Sequence, residues 1–325
     1  GAEHVALDIG RKSLATLRLV RPLRRLLREQ GVDIVHARSR LPAWIGWRAL
    51  QGMPAAARPH FVTTAHGLNS PSRYSAIMAR GERVVCVSAT VRDYVLQHYP
   101  RTDPQRLRVI PRGVDPARFP RAPHPDPQAR ARLAAQHPAL GGRGPLLLLP
   151  GRGTRLKGHA DAIDLLVSLR AAGSDARLWM AGVVQAGRDT YVDELRGRAR
   201  ATGVKEVVEM GPATDAIAQA YAGSDLVLQL SRKPEAFGRT VVEALSVGRA
   251  VLGWDHGGVG ELLRALQPEG AVAPFDMRAL AKTAQALLAQ PPPLPDTIGF
   301  TLQAMQDATL SVYDELRDAR DATAR

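Results

Sequence analysis

The chain has 325 residues, with 44 Lys and Arg against 31 Asp and Glu, for a formal net charge of +13. Its 45% hydrophobic and 23% charged content exclude collagen-like, low-complexity and wholly disordered chains, and the length suits two domains. One cysteine, Cys86, excludes an intramolecular disulfide framework and a cysteine-based zinc cluster and fits a reducing compartment, while the longest aliphatic run, Leu146–Leu149, is far too short to span a membrane. Residues 1–30 lack the order of a signal peptide, so a cytoplasmic location is expected.

In chain order, a helix is expected over Leu14–Arg28, followed by strands at Asp33–Ala37, Phe61–His66 and Arg83–Ser88 and a helix at Thr90–His98. Further strands follow at Pro145–Gly151, Arg177–Gly182, Glu206–Met210, Asp225–Leu230 and Ala250–Trp254. Helices are expected at Ala160–Ala172, Tyr191–Thr202, Thr214–Ala222 and Thr240–Val247. The strands are continuous and rich in Val, Leu and Ile rather than alternating, as expected of parallel strands covered on both faces. Repeated strand–helix–strand order reads as α/β, with doubly wound sheets.

Between 116 and 145 lie seven prolines and a late cluster of glycines around one short helix, Gln128–Gln136. This stretch reads as the connection between two domains, 1–143 (linker 116–143 included) and 144–300, or as a long surface loop. A second proline cluster, Pro291–Pro295, precedes a last helix near Leu302–Asp318 within 301–325. The first domain opens without the hydrophobic strand and glycine-rich turn that usually begin a doubly wound sheet, so an upstream segment is expected, the alternative being a shorter sheet. Residues 1–143 hold 24 basic and 9 acidic residues, and 144–325 hold 20 and 22, so the first part is expected to face something anionic. Arg11, Lys12, Arg18, Arg21, Arg24, Arg25 and Arg28 interleave with leucines on the first helix. That pattern suits an anionic bilayer, or leucines packing a core with arginines in water.

Four local patterns could carry chemistry. Gly151-Arg152-Gly153-Thr154-Arg155-Leu156-Lys157-Gly158 joins a strand to a helix, where small residues, free helix-start N–H groups and two cations suit a diphosphate; alone it could be a glycine turn with two solvated charges. Glu235 and Glu243 flank Phe237-Gly238-Arg239. On one helix, eight residues would bring the carboxylates toward one side, about 12 Å apart; alone they could be surface charge. His66 ends a parallel strand, where such sheets bind ligands, and His36 has the same placement with a weaker case. Gly257-Gly258 follows the strand Ala250–Trp254 as a turn with room for close approach.

Together, and in this order, these segments resemble the family 4 glycosyltransferases. The resemblance runs from about residue 30 to 320 and includes Ile110-Pro111-Arg112-Gly113-Val114-Asp115, where Arg112 replaces the more usual Asn. It implies the GT-B fold of two facing Rossmann-like domains, with the last helix crossing back onto the first. It also implies retaining transfer of a sugar from a nucleoside diphosphate sugar to an acceptor hydroxyl, with a lipid-linked or lipopolysaccharide-type glycan as the expected acceptor.

By the same resemblance His66 and Glu235 belong to the catalytic pocket, Glu235 holding sugar hydroxyls. Gly151, Arg152, Lys157, Phe237, Gly238, Arg239 and Glu243 hold the donor, Glu243 at its ribose. Arg38 and Arg40 are candidate acceptor contacts. Neither a metal nor another cofactor is expected. The implied partners are the nucleotide-sugar, a glycan or glycolipid and an anionic membrane surface, with a place on the inner face of the cytoplasmic membrane, and no nucleic acid. A catalytically impaired sugar-nucleotide binder and a sugar-nucleotide epimerase of the same fold stay open as alternatives.

Overall fold

The computed structural model describes residues 3–10 and 13–324, so Arg11 and Lys12 of the basic stretch lie outside the described residues. The chain forms two compact units, Gly1–Pro111 with Met305–Arg325, and Arg112–Ala304.

The first unit carries a parallel sheet of β1 (Ile34–Ala37), β2 (His60–Ala65), β3 (Arg83–Cys86) and β4 (Leu107–Val109), ordered as in the sequence. Consecutive residues of a strand face opposite sides, and β2 uses both. Phe61 packs with Leu50 and Ile77 under α1 (Val20–Glu29) and α2 (Arg40–Gln51), whereas Val62 packs with Val85 and Ile110 under Val312 and Leu316 of the long terminal helix, Leu302–Ala324. Glu315 of that helix accepts from Arg83 Nε (2.9 Å) and Arg108 Nη2 (2.7 Å), fixing the helix to β3 and β4. α3 (Ala89–His98) opens on Ser88, whose hydroxyl accepts from the Val91 N–H at 3.1 Å.

The basic first helix is a 3-10 stretch, Leu14–Leu19, leading into α1. Val20, Leu23 and Leu27 turn to the core while Arg18, Arg21, Arg25 and Arg28 are exposed. Arg24 does not join them: its Nε donates to the Ala49 carbonyl (2.9 Å) and caps the end of α2.

The second unit begins with α4 (Pro127–Gln136) and builds a parallel six-stranded sheet from β5 (Leu146–Leu148), β6 (Arg177–Ala181), β7 (Val208–Gly211), β8 (Leu226–Gln229), β9 (Ala250–Trp254) and β10 (Ala271–Val272). Their order is β10-β9-β8-β5-β6-β7. The chain winds outward from β5 through β6 and β7, then returns to the other side of β5 and winds outward again. The reversal leaves a crevice at the carboxyl ends of β5 and β8, where open sheets of this kind bind ligands. Helices α5 (His159–Ala171), α6 (Asp189–Ala201), α7 (Ile217–Ala222), α8 (Arg239–Val247), α9 (Gly257–Leu266) and α10 (Met277–Ala289) complete the unit. Gly257-Gly258, expected as a turn, is the first turn of α9.

The division differs from the expected 143/144 boundary. The proline-rich stretch belongs to the second unit, because the fully buried Arg249 draws it in. Its guanidinium donates to the carbonyls of Ala122 (3.3 Å) and Pro123 (2.5 Å) and to those of Ala222, Val247 and Gly248. Arg130 on α4 adds a 3.2 Å ion pair with Asp225, and Val114 pairs in parallel with Thr301 where the chain returns. The charge contrast softens accordingly. The first unit holds 21 basic and 12 acidic residues, a balance of +9, and the second 23 and 19, a balance of +4.

Candidate active site

In the second unit the glycine-rich segment leaves β5 at the crevice. Gly151 donates its N–H to the Ala181 carbonyl (2.8 Å), and a 3-10 turn, Arg155–Lys157, leads to Gly158 and the first residue of α5. Gly158 has φ +74°, and a Cβ there would stand 2.1 Å from the Leu230 carbonyl oxygen. The turn therefore presses directly on the end of β8, which only glycine permits. Arg152 is exposed and makes no side-chain hydrogen bond or ion pair with any described residue. Lys157 is turned inward, its Nζ 2.5 Å from Glu235 Oε1. Behind them His159 is fully buried, edge-on to Tyr191. Burial pulls its pKa down to about 4 against a partial upward pull from the Thr154 and Gly151 backbone, so it is neutral near pH 7.

Glu235 is not on a helix. It lies on the loop between β8 and α8, which starts at Arg239, so the expected helical spacing from Glu243 does not apply. The loop holds its carboxylate instead, because Ser231 Oγ donates to the same oxygen that takes Lys157. The loop is itself tied at three places. The Arg232 N–H donates to the Leu156 carbonyl at 2.8 Å. Its guanidinium reaches Asp161 at 2.6 Å and lies over the Phe275 ring. His256 Nε2 meets the Ser231 carbonyl at 2.8 Å. Burial raises the Asp161 pKa, and Arg232 pulls it back. The glycine pair closes the fourth side: Gly258 N–H donates to the Glu235 carbonyl (2.7 Å), and a Cβ on Gly258 would come within 2.5 Å of the Phe237 backbone.

The Phe237 ring packs into the interior against Phe300, so only its backbone is placed to meet a ligand. Gly238 (φ +107°) opens α8 without a side-chain cap; the Val241 N–H turns back to the Gly238 carbonyl (3.0 Å), which leaves the N–H groups of Arg239 and Thr240 at the positive end of the helix for an anion or a sugar oxygen. One turn along, Glu243 is 9% exposed. Its Oε2 accepts from the Tyr221 hydroxyl (3.0 Å) and its Oε1 from Arg239 (2.6 Å). Burial, reinforced by the Glu243 charge, raises the Tyr221 pKa well above its ordinary value and keeps the hydroxyl a donor.

In the first unit, His66 follows the last residue of β2, and Arg38 follows β1. Arg38 Nε donates to His66 Nε2 at 3.2 Å, which makes Nε2 the acceptor and assigns the ring proton to Nδ1. Arg38 is thus a partner of His66. Arg40 lies apart, on the first turn of α2, bonded to Ser75 Oγ (3.2 Å) and stacked over Tyr74. His36 bridges Tyr313 Oη (2.5 Å) and Thr64 Oγ1 (2.6 Å). Burial, helped by Arg38, lowers its pKa to about 4.

Ser231, Tyr221, Asp161 and His159 were not anticipated from the sequence. Ser231 carried a weak signal, four residues before Glu235 at a strand end; Tyr221 and Asp161 reach their partners only through the fold. Among the described residues no group of three or more His, Cys, Asp or Glu could hold a metal ion, and no helix is long and apolar enough to cross a membrane.

Comparison with known proteins places these features in a family. The profile described as Glycosyltransferase Family 4 matches residues 4–118, and that described as Glycosyl transferases group 1 matches residues 134–299. The chain is 29% identical over 244 residues to D-inositol 3-phosphate glycosyltransferase of Jonesia denitrificans, covering 70% of this chain and 56% of that protein. It thus spans little more than half the length of such curated relatives. A glycosyltransferase crystal structure from Rickettsia africae superposes with a TM-score of 0.80 at 24% identity, over 97% of this chain and 84% of that one. HepE from Anabaena, in complex with UDP and glucose, superposes with a TM-score of 0.70 at 21% identity, over 96% and 82%.

Proposed function

Because the chain belongs to the group 1 and family 4 glycosyltransferases and has their GT-B fold, we propose that it moves a sugar from a nucleoside diphosphate sugar to a hydroxyl of a glycan or glycolipid, keeping the anomeric configuration and using no metal ion. The observation that carries the reading is the knot at the β5/β8 crevice, where Lys157, on the glycine-rich segment that also carries Arg152, meets Glu235 on the loop that leads into α8.

In this reading negative charge grows on the departing diphosphate as the sugar ring turns cationic. Arg152 and the opening N–H groups of α8 meet that charge from where they stand, and Lys157 joins them to the extent that it leaves Glu235. Glu235 binds hydroxyls of the transferred sugar, and Glu243, oriented by Tyr221, binds the ribose. HepE, a structural neighbour, holds UDP and glucose, which agrees with such a donor. His66 takes the sugar-contact role, with Arg38 keeping the proton on Nδ1. The exposed arginines of α1 meet an anionic acceptor or the inner face of the cytoplasmic membrane, as a lipid-linked or lipopolysaccharide-type acceptor would require.

Calorimetric titration of UDP, GDP and ADP tests the donor site. One nucleotide binds, and Arg152→Ala and Glu243→Ala each abolish it. Transfer from the matching nucleotide-sugar then proceeds in EDTA, and the product anomer read by NMR matches the donor. Binding that survives both substitutions, an inverted product or an absolute need for a divalent ion overturns the corresponding part of the reading.

A further inference from the structure

At the far end of the first sheet from His66 lies a cavity of about 410 Å3 between the second half of α2, the residues entering β2 and the residues before β3. His60 opens β2 and His66 follows it, so at about 3.3 Å per residue the two positions are about 20 Å apart along the strand. The size is that of a small-molecule site, and its walls divide by chemistry. Phe61 and Trp47 are aromatic, while Arg58 and Arg80 bring guanidinium donors.

The cations are poorly engaged. Arg80 is exposed and lies over the rings of Trp47 (5.0 Å) and Trp44 (5.6 Å), with no ion pair to any described residue. Arg58 Nη2 donates to the Met53 carbonyl (3.1 Å), but its Nε, in the cavity wall, is buried without a hydrogen-bond partner, and so is His60 Nε2. A buried donor left without a partner is costly, and Arg58 Nε is one, on a residue that lines the cavity. The lining carboxylate, Glu82, is committed: it accepts from the Phe61 N–H (2.9 Å) and from His60 Nδ1 (2.8 Å). That contact turns His60 Nε2 away from Glu82. Two guanidinium groups thus stand against one spent carboxylate, beside the Trp47 ring.

We propose that this cavity binds an organic phosphate, a phosphate ester with a flat or apolar substituent. Arg58 and Arg80 hold the phosphate, and Trp47 with Phe61 takes the substituent. The site is separate from the crevice of the second unit and independent of the donor reading. A soluble phosphate ester and a lipid headgroup share this chemistry.

Calorimetry with phenyl phosphate and inorganic phosphate, and co-sedimentation with vesicles of phosphatidylcholine containing phosphatidic acid, test the proposal and separate the sources. Phenyl phosphate binds at least about tenfold tighter than inorganic phosphate, because only the ester fills the apolar wall. Arg80→Gln and Arg58→Gln each weaken it about tenfold or more, with circular dichroism unchanged, and Arg152→Ala leaves it alone. Arg80-dependent binding of phosphatidic acid vesicles, with none of phenyl phosphate, supports the same site with a lipid occupant. No binding by either probe, binding that survives the Arg58→Gln/Arg80→Gln double variant, or binding lost with Arg152→Ala instead overturns the proposal. A failed donor titration would leave this result unaffected.

Discussion

Lys157 cannot serve a diphosphate and Glu235 equally well, and this competition makes a prediction that a generic loss-of-function experiment does not. The two side chains are 27% and 23% exposed and meet at 2.5 Å, between the exposed pairs worth under about 1 kcal/mol and the buried ones whose breaking costs about 3–5 kcal/mol. A coupling of about 1.5 kcal/mol is reasonable, or about tenfold in affinity. Glu235→Gln keeps the shape but drops the charge, freeing Lys157 for the nucleotide. The variant therefore binds the nucleoside diphosphate about tenfold more tightly than the parent, while sugar transfer falls by about a hundredfold or more because the sugar loses its carboxylate. Lys157→Met loosens the nucleotide, and in the double variant the gain from Glu235→Gln disappears, since no ammonium is left to free. Calorimetric titration of the four proteins closes the cycle. If Glu235→Gln binds the nucleotide no better than the parent, or if its gain persists without Lys157, the reasoning that Lys157 is the diphosphate ligand fails.

Gly158→Ala forces a side chain into φ +74° and against the Leu230 carbonyl, so the glycine turn must shift; nucleotide affinity falls by tenfold or more with the protein still folded, checked by titration beside circular dichroism. Arg249→Met leaves five carbonyls without their donor and costs about 3 kcal/mol or more, which calorimetric melting reads as a fall of roughly 6–12 °C in the Tm of the second unit; an unchanged Tm would deny that this arginine anchors the proline-rich stretch. His36 and His159 have pKa values near 4 through burial. Between pH 6.5 and 4 the unfolded chain therefore takes up protons that the folded chain refuses, so their contribution is whole above about pH 6.5 and lost as pH falls toward 4. For His159 the loss is at most about 3 kcal/mol, and urea unfolding at pH 7 and 4.5 shows a smaller difference in His159→Gln than in the parent. Arg21→Gln/Arg25→Gln/Arg28→Gln weakens co-sedimentation with anionic vesicles about tenfold or more, by roughly 1 kcal/mol per charge, and leaves nucleotide binding intact.

Much of the fold was legible because its signals are local. Parallel strands covered on both faces are continuous apolar stretches, and Leu146–Leu148 and Ala250–Trp254, buried at every position, are two of them. The missed elements had weaker marks. β4 and β10 have three and two residues. α9 opens on Gly-Gly-Val-Gly, which reads as a turn. α2 carries Pro42 in its first turn, a place that tolerates proline but resembles a break. α10 had its mark, the Asp276 cap before an alanine-rich run.

The candidate site divides along the same line. Gly151 to Gly158, Glu235 to Glu243 and the glycine pair could be picked out because each needs special residue types within a few positions of one another. Which atoms meet was beyond them. That Lys157 spends its charge on Glu235, that Tyr221 orients Glu243 and that Arg38 sets the proton of His66 depend on side chains from 22 to 78 positions apart. The path of the proline-rich stretch turned on one buried arginine in the same way. From the residues alone come the strand–helix alternation, the candidate site turns and their charges, because backbone propensity and burial act over a few neighbours. The pairing of those charges, the unit to which 112–143 belongs and the cavity beside Trp47 were decided only by the packed chain, because hydrogen bonds and ion pairs form between whatever groups the fold brings within about 3 Å.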